Sequence, residues 1–303
     1  MSRIQQAALH RDNEREALVR AGMRDVAPLA VQIRAATIRA FRSGNNTATA
    51  IAHAVAPLRD QLVRGMLAGH LQGRLRASLT FKAAARDRRV LSDPFRSAID
   101  FLERRLDLPQ AALDAIAGQY AGQADEVVIA LAGDLSERVG RTLAEIGRGG
   151  LHVGEGVARL RDAFDAEGMG PTADYQLQQI YRTNIGTAYA AGQWNANQDP
   201  AIREILWGYR YATAGDDRVR PTHAAMDGTT AAKDDPLWQT WWPPCGFNCR
   251  CVTIEIWNGE REAVTDIPAP QVNIDGVLVT PGPDEGWHWN PGQVFADSLA
   301  AIN

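Results

Sequence analysis

Cysteine is nearly absent from this chain: three residues in 303, and all of them, Cys245, Cys249 and Cys251, fall inside the stretch PPCGFNCRC. An odd count argues against a disulfide framework, and the N-terminal MSRIQQAALHRDNERE lacks the apolar core of a secretory signal. The expectation is a protein folded in a reducing cytoplasm. Lysine is scarcer still, limited to Lys82 and Lys233, so arginine carries almost all positive charge and its use alone is no mark of phosphate binding. No apolar run approaches the ~20 residues that span a bilayer, so no membrane segment is expected. A phosphate-cradling glycine loop and a G-x-S-x-G nucleophile elbow are both missing.

What is present suits a chain that buries a sizeable core: 45% apolar and 22% charged residues. The net charge of −4 conceals an asymmetry. Residues 1–92 carry 16 Lys/Arg against 6 Asp/Glu, whereas the remainder carries 16 against 30. A basic half can solvate helix faces or meet an acidic surface, nucleic acid included.

Apolar periodicity gives the organisation. Val26, Leu29, Ile33, Ala36 and Ala40 step at three and four residues and predict a helix ending near SGNN. Ile51, Val55, Leu58, Leu62 and Met66 predict a second helix, interrupted early by Pro57. A third is expected after Asp93-Pro94, burying Phe95, Ile99, Leu102 and Leu106. Pro109 is placed to open a fourth. The segment from Asp125 to Ile146 reads as another, and LHVGEGVARLRDAF and PTADYQLQQIYRTNIGTAYAAGQWNA as two more.

Past Pro200 the texture changes. ILWGYRYAT (205–213) and CVTIEIW (251–257) have the β-branched and aromatic content of strands, and VNIDGVLVT (272–280) predicts a hairpin around Asp275-Gly276. The fold class expected is α+β: an elongated all-helical N-terminal half, then a small α+β C-terminal module with a β-hairpin. The expected division is 1–150, 151–292 and a C-terminal tail, 293–303.

The cysteines carry the clearest chemistry. Cys249 and Cys251, two apart at a strand start, would project from one face, and a turn through Gly246 could return Cys245 toward them. With His223, 22 residues before Cys245, they could form a zinc site of one histidine and three cysteines. The alternatives are buried thiols shaping a turn, with His223 hydrogen-bonded nearby, or a local disulfide. Asp216, Asp217, Arg218, Arg220, His223 and Asp227 crowd one loop, but nothing in their spacing selects an acid–base pair, so no catalytic residues are expected.

Taken as an ordered series, IYRTNIGTAYAAGQWNA, WGYRYATAGDDRVRPTHAAMDGT, DDPLWQTWWPPCGFNCRCVTIEI and DEGWHWNPG resemble the phage Mu F-like head morphogenesis family over roughly residues 150–292. The marks of that resemblance are Arg182-Thr183, Asp217-Arg218-x-Arg220-x-x-His223, Asp227-Gly228, the Pro243-Pro244 to Cys251 segment with its closing Cys-Arg-Cys, and Asn290-Pro291-Gly292. Cys245 departs from the pattern of many relatives, which puts a site with four protein ligands in doubt. The resemblance implies a minor head protein of a tailed phage or prophage particle, made in the host cytoplasm and carried in the virion at the portal vertex. It implies portal, major capsid or scaffold protein as partners, a helical region 1–150 that docks on them, and a role in head assembly and DNA packaging or ejection. Packaged DNA would be met non-specifically through Arg74, Arg76, Arg86, Arg88 and Arg89. Two other classes stay open: an ADP-ribosyltransferase-like or toxin-related enzyme, with Glu255 as the sole carboxylate to offer, and a free zinc-stapled nucleic-acid-binding protein.

Overall fold

Three- and four-residue apolar spacing draws the first half of the chain into long helices, as a computed structural model shows. The structure describes residues 3–86, 110–149, 153–166, 169, 175–263, 271–274 and 276–302. The helices are α1 (Arg3–Arg42), α2 (Thr47–Arg86), α3 (Gln110–Gly149), α4 (Val153–Ala166) and α5 (Tyr175–Asn197). α1 stops just before Ser43-Gly44, as the sequence predicts, and Pro57 lies inside α2 without ending it. The helices expected from Pro109 and over Asp125–Ile146 are one continuous element, α3, because no residue between them breaks the 3.6-residue ladder. The helix expected at 95–106 lies outside the described residues.

The C-terminal part adds short elements: α6 (Pro200–Ile205), β1 (Leu206–Ala212), α7 (Pro221–Ala224), β2 (Thr230–Ala232), α8 (Leu237–Thr240), β3 (Val252–Trp257), a 3-10 turn over Asn258–Ala263, β4 (Val272–Ile274), β5 (Val277–Val279) and α9 (Pro291–Ile302). The fold is α+β. β1 is the centre of an antiparallel sheet ordered β2-β1-β3, with Tyr209 opposite Ala231 on one side and Glu255 on the other. The expected hairpin is β4–β5, pairing Ile274 with Val277 beside Gly276 at a φ of +84°; Asp275 itself lies outside the described residues. Sequence reasoning missed β2, whose three residues are too few for an alternating pattern, and α9, whose start is capped by Asn290. Asn290 Oδ1 accepts from Gly292 N at 2.8 Å and Gln293 N at 3.2 Å, while its Nδ2 donates to the Trp238 carbonyl at 2.8 Å.

Two compact units divide the chain, each discontinuous in sequence. One gathers Val19–Gly65 and Ala117–Arg182. Its core contains the α1 and α2 stripes Val26, Ile33, Ile51, Val55 and Leu58 together with Leu131, Leu135 and Phe164. Arg34 Nη1 reaches Asp165 Oδ1 at 2.8 Å within it, and Arg59 forms a two-pronged contact with Asp125. These last pairs are exposed on the carboxylate side and screened by solvent, so they contribute little to stability.

The other unit gathers Met1–Leu18, Met66–Ile116 and Thr183–Asn303. It contains the sheet, and all eight tryptophans of the chain fall in its last segment. Trp194, Tyr209, Trp238 and Trp242 meet edge-on or stacked with ring centroids 4.7–6.3 Å apart, a core built from aromatics of α5, β1, α8 and the turn after α8. α2 and α5 approach closely here: a Cβ on Gly192 would stand 2.0 Å from the His70 carbonyl oxygen, so only glycine fits. His70 is fully buried against Phe295 of α9, ring centroids 4.7 Å apart.

Burial, with a further push from Arg74, lowers the His70 pKa from 6.5 to about 3. An unfolded chain takes up this proton below pH ~6.5 while the native unit refuses it, so stability is full above that pH and declines as pH falls toward 3. The expected loss is on the order of 4 kcal/mol across that window. Urea unfolding followed by tryptophan fluorescence, which reports this unit alone, should show the decline, and His70→Leu should flatten its upper part. Equal pH slopes in both proteins would contradict the assignment.

Candidate functional site

The site grows from the ends of β1 and β3. After β1 the chain runs through Gly215–Arg220 into α7, which carries His223, and returns at Asp227-Gly228. Asp227 Oδ1 accepts from Thr213 N at 2.7 Å and Thr213 Oγ1 at 3.0 Å, and Gly228 N donates to the Tyr211 carbonyl at 2.9 Å. These two residues close the loop that seats His223, and their role is architectural.

On the opposite side, the turn from Pro243 to Cys251 leads into β3. Cys249 and Cys251 lie in the turn just before the strand rather than on it. The Pro243-Pro244 bond is cis, and Asn248 takes a φ of +56°, so the backbone doubles back on itself. Thr183 Oγ1 accepts from Asn248 N at 3.3 Å. A Cβ on Gly246 would collide with Asp284 Oδ2 at 2.0 Å; glycine lets the loop before α9 press in, where Asp284 N donates to the Cys245 carbonyl at 2.9 Å.

The two segments bring three donors together. His223 Nδ1 lies 3.7 Å from Cys249 Sγ and 3.8 Å from Cys251 Sγ, and the three ligand atoms lie within 4.8 Å of one another, all on buried residues. Cys245, buried in the same core, is not in that group. All three cysteines are free thiols, so the local disulfide is not formed. The other imidazole nitrogen, Nε2, faces Asp284 Oδ1 at 3.5 Å, and Asp284 Oδ2 pairs with Arg220 Nη2 at 3.2 Å. Hydrogen bonding from Cys251, and from His223 with its charge, outweighs burial and draws the Cys249 thiol well below its ordinary range. Cys251, donating to Cys249 and buried, is pushed well up; burial pushes Cys245 the same way. A small pocket opens onto this group, lined by Arg218, Val219, Arg220, Asn248 and Arg250 with the three donors.

Arginines frame the pocket. Arg250 grips Asp216 with both Nη atoms, at 2.7 and 2.5 Å, and Arg218 Nη2 adds a contact at 3.0 Å. Those bonds hold the Asp216 carboxyl far below the usual carboxylate range. Asp216, one residue before the Asp-Arg-x-Arg stretch, therefore holds Arg218 and Arg250, and Asp217 is exposed. From α1, Arg15 donates to the Cys251 carbonyl at 3.2 Å and the Arg250 carbonyl at 2.7 Å.

Beside it, Arg11 Nη2 meets Glu255 Oε2 at 2.5 Å while its Nη1 donates to the Thr253 carbonyl. Gln193 Nε2 and Asn197 Nδ2 donate to Glu255 Oε1 at 2.8 and 3.0 Å. Burial alone would raise the Glu255 pKa, yet Arg11 and these donors together lower it. Glu255 is thus a fully enclosed ion-pair partner, with both carboxylate oxygens accepting hydrogen bonds. Sequence reasoning missed Arg11, Arg15 and Asp284, none of which has a local signal; the partners of Arg11 lie 242–244 residues away.

Other expected residues fall elsewhere. Arg182 belongs to the first compact unit described above. Pro291 and Gly292 open α9, with Gly292 against the Trp194 side chain. Arg76 is already paired with Glu14, and Arg74 is half-buried on α2 with its pKa lowered by burial. Arg86 ends α2, and Arg88 and Arg89 lie outside the described residues.

Replacing Arg15 with Ala removes a charged donor from two carbonyls of the Cys-Arg-Cys turn, each such bond worth ~1.5–3 kcal/mol. Amide hydrogen exchange at residues 249–251 should speed by at least tenfold, with the Arg34 region of the other unit unaffected. Unchanged exchange at the turn would mean that Arg15 does not hold it.

Residues 136–254 match the family model described as Phage Mu protein F like protein, a span that takes in α5, β1, β2, the start of β3 and the whole His223–Cys251 group. The putative capsid assembly protein F of Escherichia phage Mu is 31% identical over 153 residues, covering 42% of this chain and 34% of that protein. The Mu-like prophage FluMu F protein of Haemophilus influenzae is 38% identical over 76 residues, 25% of this chain and 18% of its own length. The chain spans about a third or less of these curated relatives. No solved structure matches it. Among the described residues no helix is long and apolar enough to cross a membrane. The ordered motifs around His223, the Cys-Arg-Cys turn and these matches point one way: residues 136–254 of this chain are similar to the Mu F-like phage proteins.

Proposed function

We propose that this protein is a minor head protein held at the portal vertex of a tailed phage or prophage particle, where it assists head assembly and DNA packaging or ejection. The observation that carries the reading is the 31% identity over 153 residues to a phage Mu protein named as a putative capsid assembly protein, beside the family match over residues 136–254. The geometry supports a structural role: the candidate carboxylate Glu255 is enclosed by Arg11, Gln193 and Asn197 and presents nothing to a substrate.

Partners on this reading are portal subunits first, with major capsid or scaffold protein beside them. Exposed apolar side chains on the α2 helix, Leu71, Leu75 and Leu79, stand at four-residue spacing and offer a face for such a contact. Non-specific contact with packaged DNA would fall to arginines not already paired within the fold; Arg76, bound to Glu14, is not among them.

Affinity purification of the tagged chain from particle-producing cells, followed by mass spectrometry, tests the proposal. Portal subunits should co-purify at a fixed ratio, and the chain should sediment with DNA-free procapsids as well as with filled heads. A chain that is absent from both particles and free of portal would overturn the reading.

A further inference from the structure

The spacing of the three donors around His223 is that of ligands sharing one ion. Zinc–sulfur bonds of about 2.3 Å and zinc–nitrogen bonds of about 2.0 Å at tetrahedral angles set the nitrogen–sulfur separation near ~3.6 Å. His223 Nδ1 stands 3.7 and 3.8 Å from the sulfurs of Cys249 and Cys251. A single imidazole nitrogen cannot serve two thiols equally as an aligned hydrogen-bond partner, since it offers one lone pair or one proton. Two near-equal distances from one nitrogen suit a cation lying between the three atoms instead.

The surroundings agree with that reading. All three side chains are buried, with relative exposures of 1%, 7% and 2%, so no bulk water competes for the ligand atoms. The far imidazole nitrogen faces Asp284 Oδ1 at 3.5 Å, the carboxylate–histidine arrangement that fixes which nitrogen is free to bind a metal. Arg220 in turn fixes Asp284 at 3.2 Å, and Gly246 leaves the room that this approach needs. Two thiolates and one imidazole are soft to borderline ligands, a set that selects zinc over magnesium or calcium.

We propose that His223 Nδ1, Cys249 Sγ and Cys251 Sγ form a three-ligand zinc site, with Asp284 as its positioning residue and a fourth, non-protein coordination position facing the pocket between Arg218, Arg220 and Arg250. Cys245 is not a ligand. It lies outside the converging group and does not line the pocket, so the expectation of four protein ligands gives way to three. The site ties α7 to the turn that leads into β3, two segments otherwise joined by few backbone bonds, and so locks the loop side of the sheet. This proposal does not depend on the portal reading.

The test uses the full, untagged chain purified under reducing conditions. Elemental analysis and native mass spectrometry should find one zinc per chain. Replacement by cobalt(II) should give the ligand-field absorption of a tetrahedral ion and thiolate-to-cobalt charge transfer. Cys245→Ser should keep both the stoichiometry and the spectrum. His223→Ala and Cys251→Ser should lose the metal, and Asp284→Asn should weaken binding by 10–100-fold while preserving the tetrahedral spectrum. Wild-type and Cys245→Ser measurements stand even where a ligand variant fails to fold. A metal-free wild-type chain, or metal retained in both ligand variants, would overturn the site. Loss of the metal in Cys245→Ser would overturn the open fourth position.

Discussion

A carboxylate cannot stay ionised in a protein interior without partners, and the arrangement of the sheet-bearing unit follows from meeting that demand at Glu255. Its side chain is completely enclosed on β3. Removing it from water costs several kcal/mol, an expense recovered only if charge and hydrogen bonds surround it. Arg11 comes from the first helix, Gln193 and Asn197 from the last two turns of α5. Three elements distant in sequence must therefore arrive together. An apolar residue here would pack with less demand for register, but the ion pair accepts only one alignment of α1 against β3.

That alignment extends to the candidate metal site through Arg15, four residues and about one helical turn after Arg11. Arg15 holds the carbonyls of Arg250 and Cys251, and Arg250 holds Asp216 in the loop before His223. The path from α1 through the Cys-Arg-Cys turn to α7 is thus a chain of charge-assisted hydrogen bonds. Each donor in it is an arginine, whose planar fork holds several N–H donors in one fixed geometry, a rigidity that a lysine ammonium lacks. The arginine richness first noted in the sequence has a structural outlet here, independent of any nucleic acid.

What was legible in the sequence divides along the range of the interactions. Stripes such as Ile51, Val55, Leu58 and Leu62 repeat at helical period, so local pattern alone placed the end of α1, the start of α2 and the strands β1 and β3 within a few residues, but not the reach of α1 back to Arg3 or of α2 on to Arg86. The grouping of His223 with Cys249 and Cys251 was legible because cysteine is so rare in the chain. Cys245 was grouped with them for the same reason, and the fold leaves it outside the converging group. Asp284, Arg11 and Arg15 gave no local signal. Their roles exist only after folding joins segments 60 to more than 230 residues apart, and no periodicity encodes such a meeting.

The boundaries of similarity and of folding consequently differ. The family match spans residues 136–254, which includes β1, β2 and the first half of β3. Yet Glu255 stands one residue past that span, and its charge partner Arg11 lies 244 residues upstream. Asp284, which orients His223, and Asn290, which caps α9 against Trp238, also fall outside it. A fragment cut to the matched residues would leave α5 and β3 without the guanidinium that neutralises their junction, and His223 without its carboxylate. The recurring sequence motif is therefore the centre of a folding unit rather than the whole of one. The unit is closed by residues from both ends of the chain, through charges whose burial makes their pairing obligatory.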